Sequence, residues 1–146
     1  MAAETITGSE AASAAPARSC VGETTLYGEF DIATDNAGAA FEQNDVLEIV
    51  KVPRGFQVLE VILATDDLDT STGIVLDVGD AADVDRFIDG STVGQAGGVA
   101  RLSAPAGVGY TYTTDDTIDV LVQVAASGTA ATSGTIKLTV IGRVGY

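Results

Sequence analysis

The sequence predicts an all-β protein, a jelly-roll-like antiparallel β-sandwich behind an extended N-terminal arm. Three observations carry that expectation. Apolar residues recur with a period of two along most of the chain, turn signals punctuate it about every 8 to 12 residues, and no stretch shows an apolar helical stripe. At 146 residues, with 46% hydrophobic and 19% charged side chains, the chain has the size and composition of one globular domain.

Residues 1–22 are mostly Ala, Ser, Thr, Gly and Glu around Pro16, too poor in large apolar side chains to form a core. They are read as an arm, either without a role or ordered by a partner, and residues 23–146 as a single sandwich domain. From Thr24 the alternation begins, with Leu26, Phe30 and Ile32 on one face and Tyr27, Glu29 and Asp31 on the other. Residues 46–52 and 56–63 form two apolar runs joined by Pro53-Arg54-Gly55, a hairpin or corner with Pro at turn position i+1 and Gly at i+3. In the second run Leu59, Val61 and Leu63 share one face and Phe56, Val58 and Ile62 the other. Both faces are apolar, so Phe56, Val58 and Ile62 are expected to form a self-association face, with a trimer favoured.

Ile74, Leu76 and Val78 alternate with Val75, Asp77 and Gly79, and a shorter strand through Val84, Arg86, Phe87 and Ile88 is closed by Asp89-Gly90. Residues 94–98 are a glycine-rich loop, and residues 99–102 and 109–113 are weak strands. The clearest alternation comes last, at Ile118, Val120, Val122 and Val124 and again at Ile136, Leu138, Val140 and Val144. Residues 125–134, small and polar between those strands, suit a flexible connection.

Charge and residue types exclude several functions. With 21 acidic and 7 basic residues the net charge is −14, which repels nucleic acid and anionic lipid. No basic, apolar leader opens the chain, and its most apolar stretch, residues 58–64, is too short to span a bilayer. No histidine is present to act as a general base or metal ligand. Cys20, the only cysteine, has no histidine partner and cannot form an intramolecular disulfide. Carboxylates cluster at Asp66, Asp67 and Asp69, at Asp77, Asp80, Asp83 and Asp85, and at Asp115 and Asp116, but their spacing matches neither an EF-hand nor a repeated glycine-aspartate nonapeptide. They are read as turn formers bonding their own backbone. No catalytic residue, cofactor or metal is expected.

Asn44-Asp45-Val46-Leu47-Glu48-Ile49-Val50-Lys51-Val52-Pro53-Arg54-Gly55-Phe56-Gln57-Val58-Leu59-Glu60-Val61 resembles a segment of tailed-bacteriophage virion structural proteins, capsid decoration (cement) proteins in particular. The likeness continues through Asp66-Asp67-Leu68-Asp69, Leu76-Asp77-Val78-Gly79-Asp80 and Asp85-Arg86-Phe87-Ile88-Asp89-Gly90, and covers residues 42–125 or so. The resemblance implies a non-enzymatic β-sandwich on the capsid exterior of the virion, bound to the major capsid protein and reinforcing contacts between its subunits. It transfers no binding residue. A carbohydrate-binding or fibre-type module, or a tail or neck protein, would carry much the same pattern.

Overall fold

The computed structural model describes residues 5–7 and 22–145. Its strands are β1 (Thr5–Thr7), β2 (Glu23–Asp31), β3 (Val46–Val52), β4 (Phe56–Thr65), β5 (Val75–Asp80), β6 (Asp83–Ser91), β7 (Gly98–Arg101), β8 (Asp116–Val124) and β9 (Thr135–Val144). They form a four-stranded sheet, β2-β9-β4-β7, facing a five-stranded one, β1-β3-β8-β5-β6. From β2 onward every connection crosses between the sheets except the β5–β6 hairpin, and every pairing is antiparallel. Eight strands wound this way are a jelly roll. The predicted fold class therefore holds down to its topology.

The core lies between the sheets. Ile118, Val120 and Val122 of β8 face Ile136, Leu138 and Val140 of β9, and Phe30, Phe56 and Phe87 fill the remaining space, all fully buried. Gly28 on β2 lets the layers approach, because a Cβ there would run into the Ile49 carbonyl of β3. A single helical turn, Ile32–Asp35, follows β2 and is capped by the Asp31 carboxylate, which accepts from Ala33 N at 2.9 Å and Thr34 N at 3.2 Å.

The Pro53-Arg54-Gly55 segment is a corner that carries the chain from one sheet to the other, with the turn placed differently than its composition suggested. Phe56 N donates to Pro53 O at 3.1 Å, so Pro53 is the first turn residue and Gly55, at φ 84°, the third. That third position of a type II turn requires a positive φ. A bulge between Val58 and Glu60 then shifts the pairing of β4 with β9 by one residue. Phe56 and Val58 consequently point the same way as Val61 and Leu63, and all four are 0% exposed in the chain's own core. Strict alternation had placed Phe56 and Val58 on the opposite, outward face; of that trio only Ile62 remains half-buried.

Three other local expectations change. Residues 109–113 form no regular strand, since Gly109 is left-handed at φ 76°, yet the segment bonds the start of β4 through Val58 N to Tyr110 O at 2.8 Å and Tyr112 N to Phe56 O at 2.9 Å. Asp89-Gly90 does not close β6, which continues to Ser91 through irregular pairing with β5. Residues 125–134 are fastened to the loop after β4, as Ala131 N donates to Leu68 O at 3.1 Å and Asp69 bridges to Ala130. Most of the arm, Cys20 included, lies outside the described residues. Thr5–Thr7, which belong to it, pair in parallel with Val46, Leu47 and Glu48 at the edge of the chain's own five-stranded sheet.

Candidate assembly site

The loop aspartates act mainly as acceptors for backbone N–H groups. Asp69 is 2% exposed and accepts from the N–H groups of Ser71, Gly73, Ile74, Ser127 and Gly128 at 2.8–3.1 Å. One carboxylate thus ties the loop after β4 to the loop before β9. Burial pushes the Asp69 carboxyl up, but the surrounding N–H groups outweigh it and hold the group well below the usual carboxylate range. Asp66 is lowered in the same manner, first by the Thr135 N–H at 2.8 Å and then by the Thr135 hydroxyl at 3.0 Å. Asp77 accepts from Gly90 N at 2.7 Å, although burial raises its pKa.

Asp80 uses its acceptor capacity differently. Arg86 grips it with two bonds, Nε at 2.7 Å and Nη2 at 3.1 Å, while the Tyr112 hydroxyl and the N–H groups of Ala82 and Asp83 donate as well. The Arg86 guanidinium lies 3.8 Å from the Tyr110 ring centre, and Tyr110 meets Tyr112 edge-on at 5.0 Å. Asp80, with five donors on its two oxygens, is therefore saturated.

Asp119 is the exception. It projects from β8 onto the outer face of the five-stranded sheet, between Glu48 of β3 and Gly79 of β5 in the ladder. It is 7% exposed, and its Oδ1 has no hydrogen-bond partner. Burial raises its pKa to about 7; Glu48, Asp116 and Asp80 add to the shift, and a hydrogen bond from Thr117 opposes it. A cavity of about 220 Å³ adjoins it, lined by Thr5, Val46, Glu48, Gly79, Asp80, Ala81, Val84 and Leu121. A buried carboxylate with a displaced pKa beside a cavity marks a candidate functional position. Among the described residues, no aromatic ring lines this cavity.

The four-stranded sheet presents a second candidate surface. Its outer row runs Tyr27, Thr139, Ile62, Arg101 across β2, β9, β4 and β7. Tyr27, Leu59 and Val99 are exposed on this sheet, and Glu60 pairs with Arg101 at 3.4 Å. Sequence reasoning found Ile62 in this row; Tyr27 joins it through β9, and Val99, paired with Ala64, lies in the next row at the β7 edge. Among the described residues, no cluster of three or more potential ligands is arranged to hold a metal ion.

No family model matches the chain, and no curated protein matches it. Solved structures do. A chain in the capsid of Ralstonia phage GP4 is 29% identical, superposes with a TM-score of 0.78, and is matched over 97% of this chain and 99% of that one. A chain in the capsid asymmetric unit of cyanophage Pam1 is 28% identical, with a TM-score of 0.70 and coverage of 90% and 92%. A chain in the acid-stable capsid of Helicobacter pylori bacteriophage KHP30 shares the fold at 17% identity, with a TM-score of 0.55 and coverage of 85% and 89%.

Proposed function

We propose that this protein is a non-enzymatic structural component of a phage virion. More specifically, it is a decoration protein that binds the capsid exterior as a homotrimer and reinforces contacts between major capsid subunits. The observation that carries this reading is the end-to-end likeness to a chain of the GP4 capsid, 97% of one matched to 99% of the other. The sequence motifs of residues 44–90 support the decoration role independently, through their resemblance to cement proteins.

The physical character of the domain agrees with that role. The closed Asp69 and Asp80 networks stiffen the loops, and the outer row at Tyr27 and Ile62 supplies a partly apolar face for other copies. Thr5–Thr7 of the arm pair with the chain's own β3, and the rest of the arm serves as a strap across a neighbouring subunit, where a shared interface offsets an ordering cost of about 1–2 kcal/mol per residue. Saturation binding to undecorated capsid shells tests the reading. The purified chain is expected to bind at a fixed number of copies per shell and to raise the temperature at which shells rupture. Deleting residues 2–20 weakens binding while the sandwich still melts cooperatively. Shells that take up none of the full-length chain would sink the decoration role.

A further inference from the structure

Asp119 occupies an unusual position for a carboxylate in a protein of net charge −14. An acidic group repelled by its neighbours ordinarily turns into water, yet this one is 7% exposed with Oδ1 unpartnered. Leaving a buried acceptor unsatisfied costs about 1–3 kcal/mol, more when it is charged. Among the described residues Oδ1 has no hydrogen-bond partner, basic or otherwise; Arg86 binds Asp80 and Asp83, and Arg101 binds Glu60. The adjoining cavity is acidic at Asp119 and Glu48 and apolar at Val46, Val84 and Leu121.

We propose that this cavity is a socket for a lysine or arginine side chain from a neighbouring capsid subunit, which pairs with Asp119 and lays its aliphatic stem against Val46, Val84 and Leu121. The proposal deepens the decoration reading and rests on it for the identity of the partner. Long basic side chains match both halves of the lining, a cationic head for the carboxylate and a methylene stem for the apolar wall. A bare divalent ion does not, because it needs a shell of six or so oxygens and three apolar side chains wall this site. Charge complementarity points the same way, since a strongly acidic protein is steered to basic surfaces.

The carboxylate must be ionised to pair, which makes attachment pH-dependent. Asp119, raised to about 7 mainly by burial, lies opposite Glu48 of β3 and feels the charges of Asp80 on β5 and Asp116 on its own strand, and Thr5 of β1 adds no charge. Shell binding by the full-length chain should therefore weaken as pH falls from about 8 to about 6. Asp119→Asn keeps the shape and removes the charge; its shell affinity is expected to be at least about tenfold lower at pH 8 and nearly flat across that window. Thermal melting of the same variant checks that it folds. A folded Asp119→Asn that binds as tightly as the parent, with the same pH profile, overturns the socket.

Failure of the parent chain to bind any shell would instead strike the decoration reading, and a second measurement then decides the socket alone. The Asp119 carboxyl carbon is followed by NMR during a pH titration with and without butylguanidinium, a stand-in for an arginine side chain. The expected result is a titration midpoint lowered by about one unit in its presence. A midpoint that does not move at saturating probe contradicts the proposal.

Discussion

Asp69 and Asp119 are both nearly inaccessible carboxylates in the same sandwich, and their surroundings give them opposite characters. Asp69 sits where two loops converge and is saturated by five backbone N–H groups. Asp119 sits on a strand whose own N–H and C=O groups serve the ladder, so nothing local remains to satisfy its Oδ1. Burial pushes both carboxyls up; the supply of backbone donors at Asp69, and the acidic neighbours Glu48, Asp116 and Asp80 at Asp119, separate the outcomes. A carboxylate satisfied from within is scaffold, whereas one left with an orphaned oxygen beside a cavity is available to a partner.

The largest effect should come from removing the saturated group. Asp69→Ala leaves five backbone N–H groups without their acceptor and is expected to lower the melting temperature more than any substitution at Asp119 or Arg86. Hydrogen exchange at the Ser127 and Gly128 amides should lose its protection at the same time. Next comes Arg86→Met, which converts Asp80 from a satisfied carboxylate into one missing its ion pair. Denaturant unfolding should show a loss of about 3–5 kcal/mol, with the Tyr112 hydroxyl left as one of the few remaining donors.

Asp119→Asn should act in the opposite direction and stabilise the isolated domain by roughly 1–3 kcal/mol at pH 8. The sign follows from proton counting. Between the unfolded value near 4 and the folded value of about 7, the folded state holds a proton that the unfolded chain has released. Stability therefore falls as pH rises through that window and stays low above it; the asparagine variant should lack this fall. Asp69 acts on the other flank, because its folded pKa is depressed. Its contribution is complete above the unfolded value near 4 and is lost as pH drops through the folded one. The smallest effect belongs to Arg101→Ala, which breaks a solvent-screened pair with Glu60 and should change stability by no more than about 0.5 kcal/mol.

The same contrast explains what was legible in the sequence. Alternation at 136–144 located β9 because it buries one face in the core as far as Gly142, and alternation at 118–122 located β8 although Asp119 is buried on its other face and Val124 is 41% exposed. It failed at β4, where one bulge reverses the inside–outside order after Val58 and leaves the composition unchanged. Asp69 was recognisable as a loop aspartate bonding backbone, but its bonds to Ser127 and Gly128 span 58 and 59 residues, beyond any local pattern. For the same reason residues 125–134 read as a flexible connection although Asp69 pins them. Asp119 alternates with Ile118 and Val120, which puts it on the face of β8 away from the core; its burial comes from neighbouring strands that only the assembled sheet brings alongside.

Cryo-electron microscopy of the intact virion tests the central claim most directly. The account predicts density for this jelly roll outside the shell, over contacts between major capsid subunits, with a lysine or arginine of a neighbouring subunit within hydrogen-bonding distance of Asp119. Density confined to the tail or neck, or a shell-bound domain whose Asp119 cavity faces solvent with no basic side chain near it, would contradict the account.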